Sequence, residues 1–575
     1  MQISSEVTGD IRKYALKNAV EYGKAHEGSV LNKIISLYPE HKPDIKALAK
    51  EVAKIIGEVN SLDKEMLQAE YAKYAQEFED ERRIKEEMTA KPKFVLEGVA
   101  EGDFIGRASP EPSGYAHMGH VKQVLLNEAF AKAYNGKLYL FFDDTNPEKA
   151  KQEYVDAIRR DFEWLGVKFD REYYASDNIE KIYAYARQLI GSARAYVCQC
   201  SRDEMKQYRM EGTGCRHREQ DAERNISLFE DMVAGRMDEG TAIVRLKGDM
   251  SAQNAVMRDP ALLRIVKTPH YRQGTKYFVW PLYDFNTPIL DSVNGVTDII
   301  RDKNYEPRDE LVREILGALG LRIPRMHLEG RLNIKGNVVQ KRVIRKLISD
   351  GLIKSWDDPR LMTVMALRRR GVQVQALRDF VLRFGMSKTE SEVGIDMLLA
   401  ENKKIIDPLA KHLFFVENPA KVAVNGAAAS KVRLRIHPSN DFGFREYQVN
   451  DTFYISGADA MAMSVGDTVR LKDLMAIKIV GKAAGEIAAQ KAAGTDTGKI
   501  VQWVCEGNYS RCSVAIPGDI IDDKDNFLPN SLKVVNGYVE SYATMLNEHD
   551  IVQFERFGYC ILDKKATLEF IFISK

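Results

Sequence analysis

The sequence predicts a multidomain α/β chain: a parallel-sheet core preceded by a helical region and followed by strand-rich barrels. Three observations carry this reading. Residues 102–147 read as strand, loop, helix and strand; residues before 95 follow helical periodicity; and short alternating strands fill residues 416–575. At 575 residues the chain is too long for one typical domain, and 45% hydrophobic content supports ordinary buried cores.

Within the core unit, GDFIGRA (102–108) is a short apolar run suited to a buried strand. The following VKQVLLNEAFAKAYNG sets Val121, Leu125, Ala129 and Ala133 at helical spacing before an Asn-Gly stop. KLYLFFDDTNP (137–147) is apolar to Phe142 and then turns acidic, so Asp143 and Asp144 fall at a strand's carboxyl end. Such a unit is a parallel crossover, and ligands of these sheets bind beyond the carboxyl ends of the strands. The connecting loop RASPEPSGYAHMGHV (107–121) and Asp143 are therefore expected to share one crevice. Pro110 and Pro112 stiffen that loop and Gly114 permits close approach, while the amino end of the next helix offers unpaired N–H groups to an anion. His117 and His120, one turn apart, are suited to donate to phosphate oxygens. The run GxxxxGK[ST] is absent, which excludes a Walker cradle. Taken singly, either histidine is equally consistent with a satisfied surface residue.

Six cysteines are too few for a disulfide framework in so long a chain. Three of them cluster: Cys198-Gln-Cys200 is followed by Cys215-Arg-His217. Three thiolates and an imidazole form a tetrahedral Cys₃His set, the pattern of a closed structural zinc knuckle, against the alternative of three reduced thiols and a surface histidine. Cys505, Cys512 and Cys560 lie in strand-like sequence and read as small core residues. A net charge of +1 argues against a wholly basic coat, yet basic clusters occur at 341–346 and 368–370, where the alternative is a solvated helix face. No run of about 18 apolar residues and no apolar signal core are present, so a cytoplasmic protein without membrane contact is expected. The Ala/Gly/Lys-rich stretch 480–494 reads as a flexible or helical connection.

The run PEPSGYAHMGH (110–120) resembles the "HIGH" region of class I aminoacyl-tRNA synthetases in the form used by the glutamyl/glutaminyl branch. FFDDTNP, WLGVKFD, AYVC, MRDPALLRI, WPLYDF, WDDPRL and LRRRGV follow in that branch's order, and the likeness is greatest to its archaeal-type glutamyl members. The resemblance implies these divisions: a helical N-terminal extension (1–95); a Rossmann-like catalytic domain in two halves (96–197 and 281–350) around an inserted acceptor-stem domain (198–280); a helical connection (351–415); and anticodon-binding β-barrels (416–575). The extension is equally consistent with docking a protein or RNA and with a passive appendage. A monomer is expected.

The implied reaction is ATP-dependent activation of L-glutamate and its transfer to tRNA(Glu), with tRNA(Gln) left open as a second acceptor. A glutamine–tRNA ligase and a catalytically silent tRNA-binding paralogue are the alternatives. Pro110, Glu111, Gly114, His117, Gly119, His120, Lys341 and Arg342 are implied for ATP, with Mg²⁺, and His117, His120 and Lys341 for catalysis. Arg107, Tyr283 and Arg301 are implied for the amino-acid side chain, and Asp143 fits the α-ammonium by charge. Zinc at Cys198, Cys200, Cys215 and His217 has a counterpart in some glutamyl enzymes. Three departures stand out: VVQKRV (338–343) where the branch has VMSKRK or VLSKRK, Phe141 in place of Arg, and Asp298 in place of His. The first leaves Lys341 and Arg342 but replaces Ser by Gln340 and Lys by Val343.

Overall fold

The computed structural model describes residues 4–38, 44–79, 94–483, 485–492 and 499–575, and the chain divides into two compact units, 1–91 and 92–575. The first unit holds the helices Ser5–Tyr22, Glu27–Leu37, Ile45–Asn60 and Lys64–Ala72. Ser4 caps the first by accepting the Val7 N–H, and Gly23 ends it in the left-handed region at φ 81°. Ile11, Leu16, Ile34, Val52 and Ile56 form its core.

The second unit begins with three parallel strands, Ile105–Ala108, Lys137–Phe142 and Arg171–Tyr174, joined by the helices Met118–Ala133 and Gln152–Trp164. On the other side of Ile105–Ala108 runs a second parallel pair, Asp298–Asp302 and Arg325–Glu329. Thr297 joins the two: its N–H donates to the Ile105 carbonyl at 2.9 Å, and its Oγ1 accepts the Ile105 N–H at 2.7 Å. The strands thus run 171–174, 137–142, 105–108, 298–302, 325–329, a doubly wound order that reverses between 105–108 and 298–302. Between the two halves lies an antiparallel sheet of Ala195–Cys198, Ile243–Leu246, Ala261–Ile265 and Val279–Pro281, with the helix Ala222–Val233 packed against it.

Beyond the helices Lys341–Ser349, Val364–Arg369, Val374–Leu382 and Ile395–Ile406, strands dominate, with one short helix at Gly457–Met461 among the described residues. Two seven-stranded sheets and the ribbon Ser430–Arg435/Phe444–Val449 lie within residues 411–574. Cys505, Cys512 and Cys560 are buried in these sheets as core residues. The stretch 480–494 is not the connection its composition suggests. Met475–Ala483 and Glu486–Lys491 pair antiparallel, with Ile477, Ile479, Ile487 and Ala489 buried, so period-two alternation overrides the Ala/Gly/Lys bias; Ala484 and 493–494 lie outside the described residues. Among the described residues no helix is long and apolar enough to cross a membrane.

The return from the first crossover helix is tight. Asn135 takes φ 48°, and a Cβ on Gly136 would lie 2.1 Å from the Phe104 carbonyl oxygen, which the Lys137 N–H holds at 2.8 Å. Gly136→Ala must move a strand backbone, so thermal unfolding is expected to show a loss of about 1–3 kcal/mol. An unchanged melting midpoint would contradict this packing.

Candidate active site

At the reversal of strand order a cavity of about 810 Å³ opens beyond the carboxyl ends of the strands. Loop 109–117 forms one wall. It is pinned to both neighbours: the Asp143 N–H donates to the Pro110 carbonyl at 3.2 Å and the Lys151 N–H to the Pro112 carbonyl at 3.1 Å. Val364 N–H to Ala116 O and Met118 N–H to Met362 O, both 3.0 Å, fix its far end.

The two histidines are built into the helix start. His117 is the N-cap, and its Nδ1 accepts the Gly119 N–H at 3.1 Å; Nδ1 of His120 accepts the His117 N–H at 3.3 Å. With both Nδ1 atoms accepting, each ring carries its proton on Nε2. Burial, reinforced by the Lys341 charge, pushes His117 down to about 3, and burial with His117 and Lys341 drives His120 well below the usual histidine range. Both imidazoles are neutral donors. Sequence spacing suggested two parallel donors; instead each ring spends one nitrogen on the cap and keeps the other for a ligand.

Lys341 begins the helix Lys341–Ser349 and reaches across to the Glu111 carbonyl at 2.9 Å. Burial lowers it to about 8, against the Glu111 charge. Gly114 lies beneath it: a Cβ there would meet Lys341 Cδ at 3.0 Å and the Trp356 ring at 3.3 Å. Gly114 thus admits the lysine stem rather than a ligand. Arg342 is exposed and does not line the cavity, so the structure does not bring it to the site. Pro110, Glu111, His117, Gly119, His120 and Lys341 do line it.

At the other end Asp143 accepts Asn286 Nδ2 at 3.0 Å and Thr145 Oγ1 at 3.2 Å. Burial, with Asp144 and Glu111 nearby, raises its carboxyl to about 7. Arg107 is buried and forks onto Asp291, Nε to Oδ1 at 3.0 Å and Nη2 to Oδ2 at 3.1 Å, leaving Nη1 without a hydrogen bond among the described residues. Its partner within the protein is Asp291, and it lines the cavity as well. Arg301 pairs with Asp309, and its Nε is buried without a partner. Tyr283, packed on Tyr305 at 5.3 Å between ring centres, lines the same corner.

The departures sort by position. Gln340 lines the cavity as N-cap of the Lys341 helix without a capping bond from its side chain. Phe141 is fully buried and stacks on Tyr173 at 4.8 Å, away from the cavity. Asp298 sits at the opposite, amino end of its strand. Burial alone would raise its carboxyl, but hydrogen bonds from Arg325 and His327, both 2.8 Å, hold it at about 2. Sequence reasoning did not single out Lys122, Asn146, Arg264, Asp302, Glu329 or Arg331 on the cavity wall; Asn146 and Arg264 lie within FFDDTNP and MRDPALLRI.

Cys198, Cys200, Cys215 and His217 converge at the edge of the inserted sheet, their ligand atoms all within 4.8 Å of one another. Cys198 Sγ is 3.8 Å from Cys215 Sγ, and Cys200 Sγ 3.3 Å from His217 Nδ1. Metal–sulfur bonds of about 2.3 Å put sulfurs about 3.8 Å apart at tetrahedral angles. The donor set and spacing fit a closed four-ligand site.

Residues 105–408 match the family of tRNA synthetases class I (E and Q), catalytic domain; residues 410–493 and 500–563 match two anti-codon binding domains of the same class. The chain belongs to the class I tRNA synthetases of the E and Q type, and is an aminoacyl-tRNA ligase. It is 38% identical over 98% of its length to the glutamate–tRNA ligase of Nitrosopumilus maritimus (strain SCM1), of which 99% is covered. To the glutamate–tRNA ligase of Pyrococcus furiosus it is 36% identical, over 96% of each chain.

The site's titrations give a pH signature. Asp143 holds a cation only when deprotonated, so kcat/KM for the amino acid should rise as pH passes about 7. Lys341 is cationic below about 8, so kcat/KM for ATP should fall above it, and Lys341→Arg should move that fall to higher pH. Flat profiles on either substrate would contradict these assignments.

Proposed function

We propose that this chain ligates L-glutamate to the 3′ end of tRNA(Glu), with ATP as the energy source. One observation carries the proposal: a single cavity joins neutral imidazole donors and a lysine without an acidic partner among the described residues to a corner of leftover donors beside a carboxylate. The Asp143 carboxylate suits an α-ammonium. Arg107 Nη1, Arg301 Nε and the Tyr283 hydroxyl suit an acceptor-only group such as a side-chain carboxylate. A carboxamide's N–H₂ would find an acceptor only in the Tyr283 hydroxyl and none in the two guanidinium groups, which favours glutamate over glutamine, as do the names of the relatives.

In the first half-reaction an α-carboxylate oxygen of glutamate forms a bond to the α-phosphorus of ATP, and the bond to the bridging oxygen breaks, releasing pyrophosphate. In the second, a hydroxyl of the terminal ribose attacks the carbonyl carbon and AMP leaves. No protein nucleophile is needed. The Nε2–H groups of His117 and His120 and the Lys341 ammonium stabilise negative charge as it develops on the phosphates, and the surrounding pairs hold both ends in register. Magnesium bound with ATP supplies further charge neutralisation.

The geometry of Cys198, Cys200, Cys215 and His217 supports a structural zinc at the inserted domain. The hydrogen bond that Cys198 and Cys215 share lowers Cys215 and raises Cys198, so one thiol of the pair is the more readily deprotonated. Metal analysis is expected to find about one zinc per chain, and Cys215→Ser to lose it together with thermal stability. Metal-free protein from a reducing, chelator-free preparation would exclude it.

The function is tested by offering glutamate and glutamine in parallel to tRNA(Glu) and tRNA(Gln) with ATP and magnesium. Glutamate on tRNA(Glu) is expected; glutamate on tRNA(Gln) as well would define a non-discriminating enzyme. Glutamine transfer, or no charging, would overturn the proposal.

A further inference from the structure

Asp143 and Asp144 follow one another past the end of the strand Lys137–Phe142, yet their side chains go to different places. Asp143 lines the cavity with Thr145 and Asn146; Asp144 does not, and it is fully buried. Its Oδ1 accepts the Ser176 N–H at 2.8 Å, and its Oδ2 accepts the Ser176 hydroxyl at 2.7 Å and the Tyr271 hydroxyl at 3.0 Å. His270 stands near, Nε2 to Oδ2 at 3.7 Å, but as a neutral ring. Its Nδ1 accepts the Arg272 and Gln273 N–H groups, both at 3.2 Å, so Nε2 carries the proton and donates to the Asp144 carbonyl at 2.8 Å. Burial raises the Asp144 carboxyl, and the Ser176 and Tyr271 donors oppose that rise.

These bonds tie two further stretches of chain to the strand end. Ser176 lies in the turn Ala175–Asn178 that follows the strand Arg171–Tyr174, and His270 and Tyr271 lie in the loop between Ala261–Ile265 and Val279–Pro281 of the inserted sheet. That loop is already fastened elsewhere. Arg272 pairs with Asp177 at 2.7 Å and covers the Tyr174 ring 3.7 Å from its centre, while Gln273 Nε2 donates to Asp177 at 2.9 Å. Holding the loop therefore does not by itself account for a buried anion set beside a second carboxylate, an arrangement that costs free energy. The difference Asp144 makes falls on its neighbour. The Asp143 N–H donates to the Pro110 carbonyl at 3.2 Å on one side, and the Asp144 carbonyl and carboxylate are bound on the other. The peptide that carries Asp143 is thus clamped at both ends, and Asn286 Nδ2 at 3.0 Å and Thr145 Oγ1 at 3.2 Å steady its carboxylate.

We propose that Asp144 is a positioning residue for the amino-acid end of the site: by gripping Ser176 and Tyr271 it clamps the backbone of Asp143 and aims that carboxylate at the substrate's α-ammonium. The inference rests on the ligase reading above. Asp144 touches no reactant and acts through Asp143 alone. A charge-assisted hydrogen bond depends on direction as well as distance, so a carboxylate fixed before the ligand arrives binds an ammonium more tightly than one free to turn. The clamp also gives the inserted sheet a share in amino-acid recognition, because the loop carrying His270 and Tyr271 supplies two of its bonds.

The test uses the full chain and two probes: a non-reactive analogue of glutamyl-adenylate that bears the α-amine, and its counterpart with hydrogen in place of that amine. Binding is measured by calorimetry above about pH 7, where Asp143 is ionised. Tyr271→Phe and Ser176→Ala each remove one hydroxyl and keep the Asp144 charge; each should weaken the amine-bearing probe about 3- to 10-fold. Asp144→Asn should weaken it about 10- to 100-fold. The des-amino probe should bind every variant within about twofold of the unaltered chain. The two hydroxyl deletions keep the test decisive where Asp144→Asn fails to fold. Equal weakening of both probes would overturn the proposal in favour of a general structural role, and unchanged binding of the amine-bearing probe would overturn it outright. An unaltered chain that binds neither probe would instead overturn the ligase reading, and the proposal with it. Charging of glutamine would correct only the amino acid of that reading, since the α-ammonium is common to both, and the contrast between the probes would still decide Asp144.

Discussion

The site depends on one buried fork, Arg107 to Asp291. The partners are 184 residues apart and almost wholly shielded from water, one on the first strand of the nucleotide fold and the other on the helix Tyr283–Val293 that opens its second half. Everything between them includes the whole inserted sheet. Burial opposes a charge on either group, and only bidentate geometry makes the pair tolerable; removing one partner would strand the other at a cost of about 3–5 kcal/mol. Because Tyr283 is the first residue of that helix, the fork also fixes the corner where the amino acid's side chain is proposed to lie.

Around this fork the charges are arranged by subtraction. Most cations facing the cavity are neutralised by acids in the wall, and the two histidines are kept neutral by burial and by capping their own helix. Among the described residues, the cavity cations without an acidic partner are Lys341 at one end and Arg264 on the inserted sheet. A cavity of this kind need not supply a nucleophile. It must hold two reactants and neutralise charge that grows on phosphate, which fixed dipoles and a few unspent donors do without reorganisation.

Much of this was legible in the sequence because it is local. The loop of prolines and glycine before a helix, the aspartate at a strand's end and the Cys-Gln-Cys/Cys-Arg-His spacing each declare a conformation or a ligand set within a few residues. What was hidden is pairwise and distant. Nothing near Arg107 announces Asp291, so its partner could not be read. Arg342 follows Lys341 directly, yet successive helix residues point about 100° apart, and only one can face the cavity. Asp298 departs from the branch's pattern, but only the strand's direction shows that it lies at the end away from the cavity. Residues 480–494 misled through composition, where alternating burial of Ile477, Ile479, Ile487 and Ala489 was the stronger signal. Asn146 and Arg264 stood inside motifs already noticed, but that both line the cavity is visible only in three dimensions.

The most direct measurement is a crystal structure with a non-reactive analogue of glutamyl-adenylate. The account predicts the phosphate mimic against Nε2 of His117 and His120 and near Lys341, the ammonium on Asp143, and the side-chain carboxylate at Arg301 and Tyr283, with the Arg107–Asp291 fork unchanged. An analogue bound with its carboxylate at Arg264, or a fork opened to release Arg107, would contradict it.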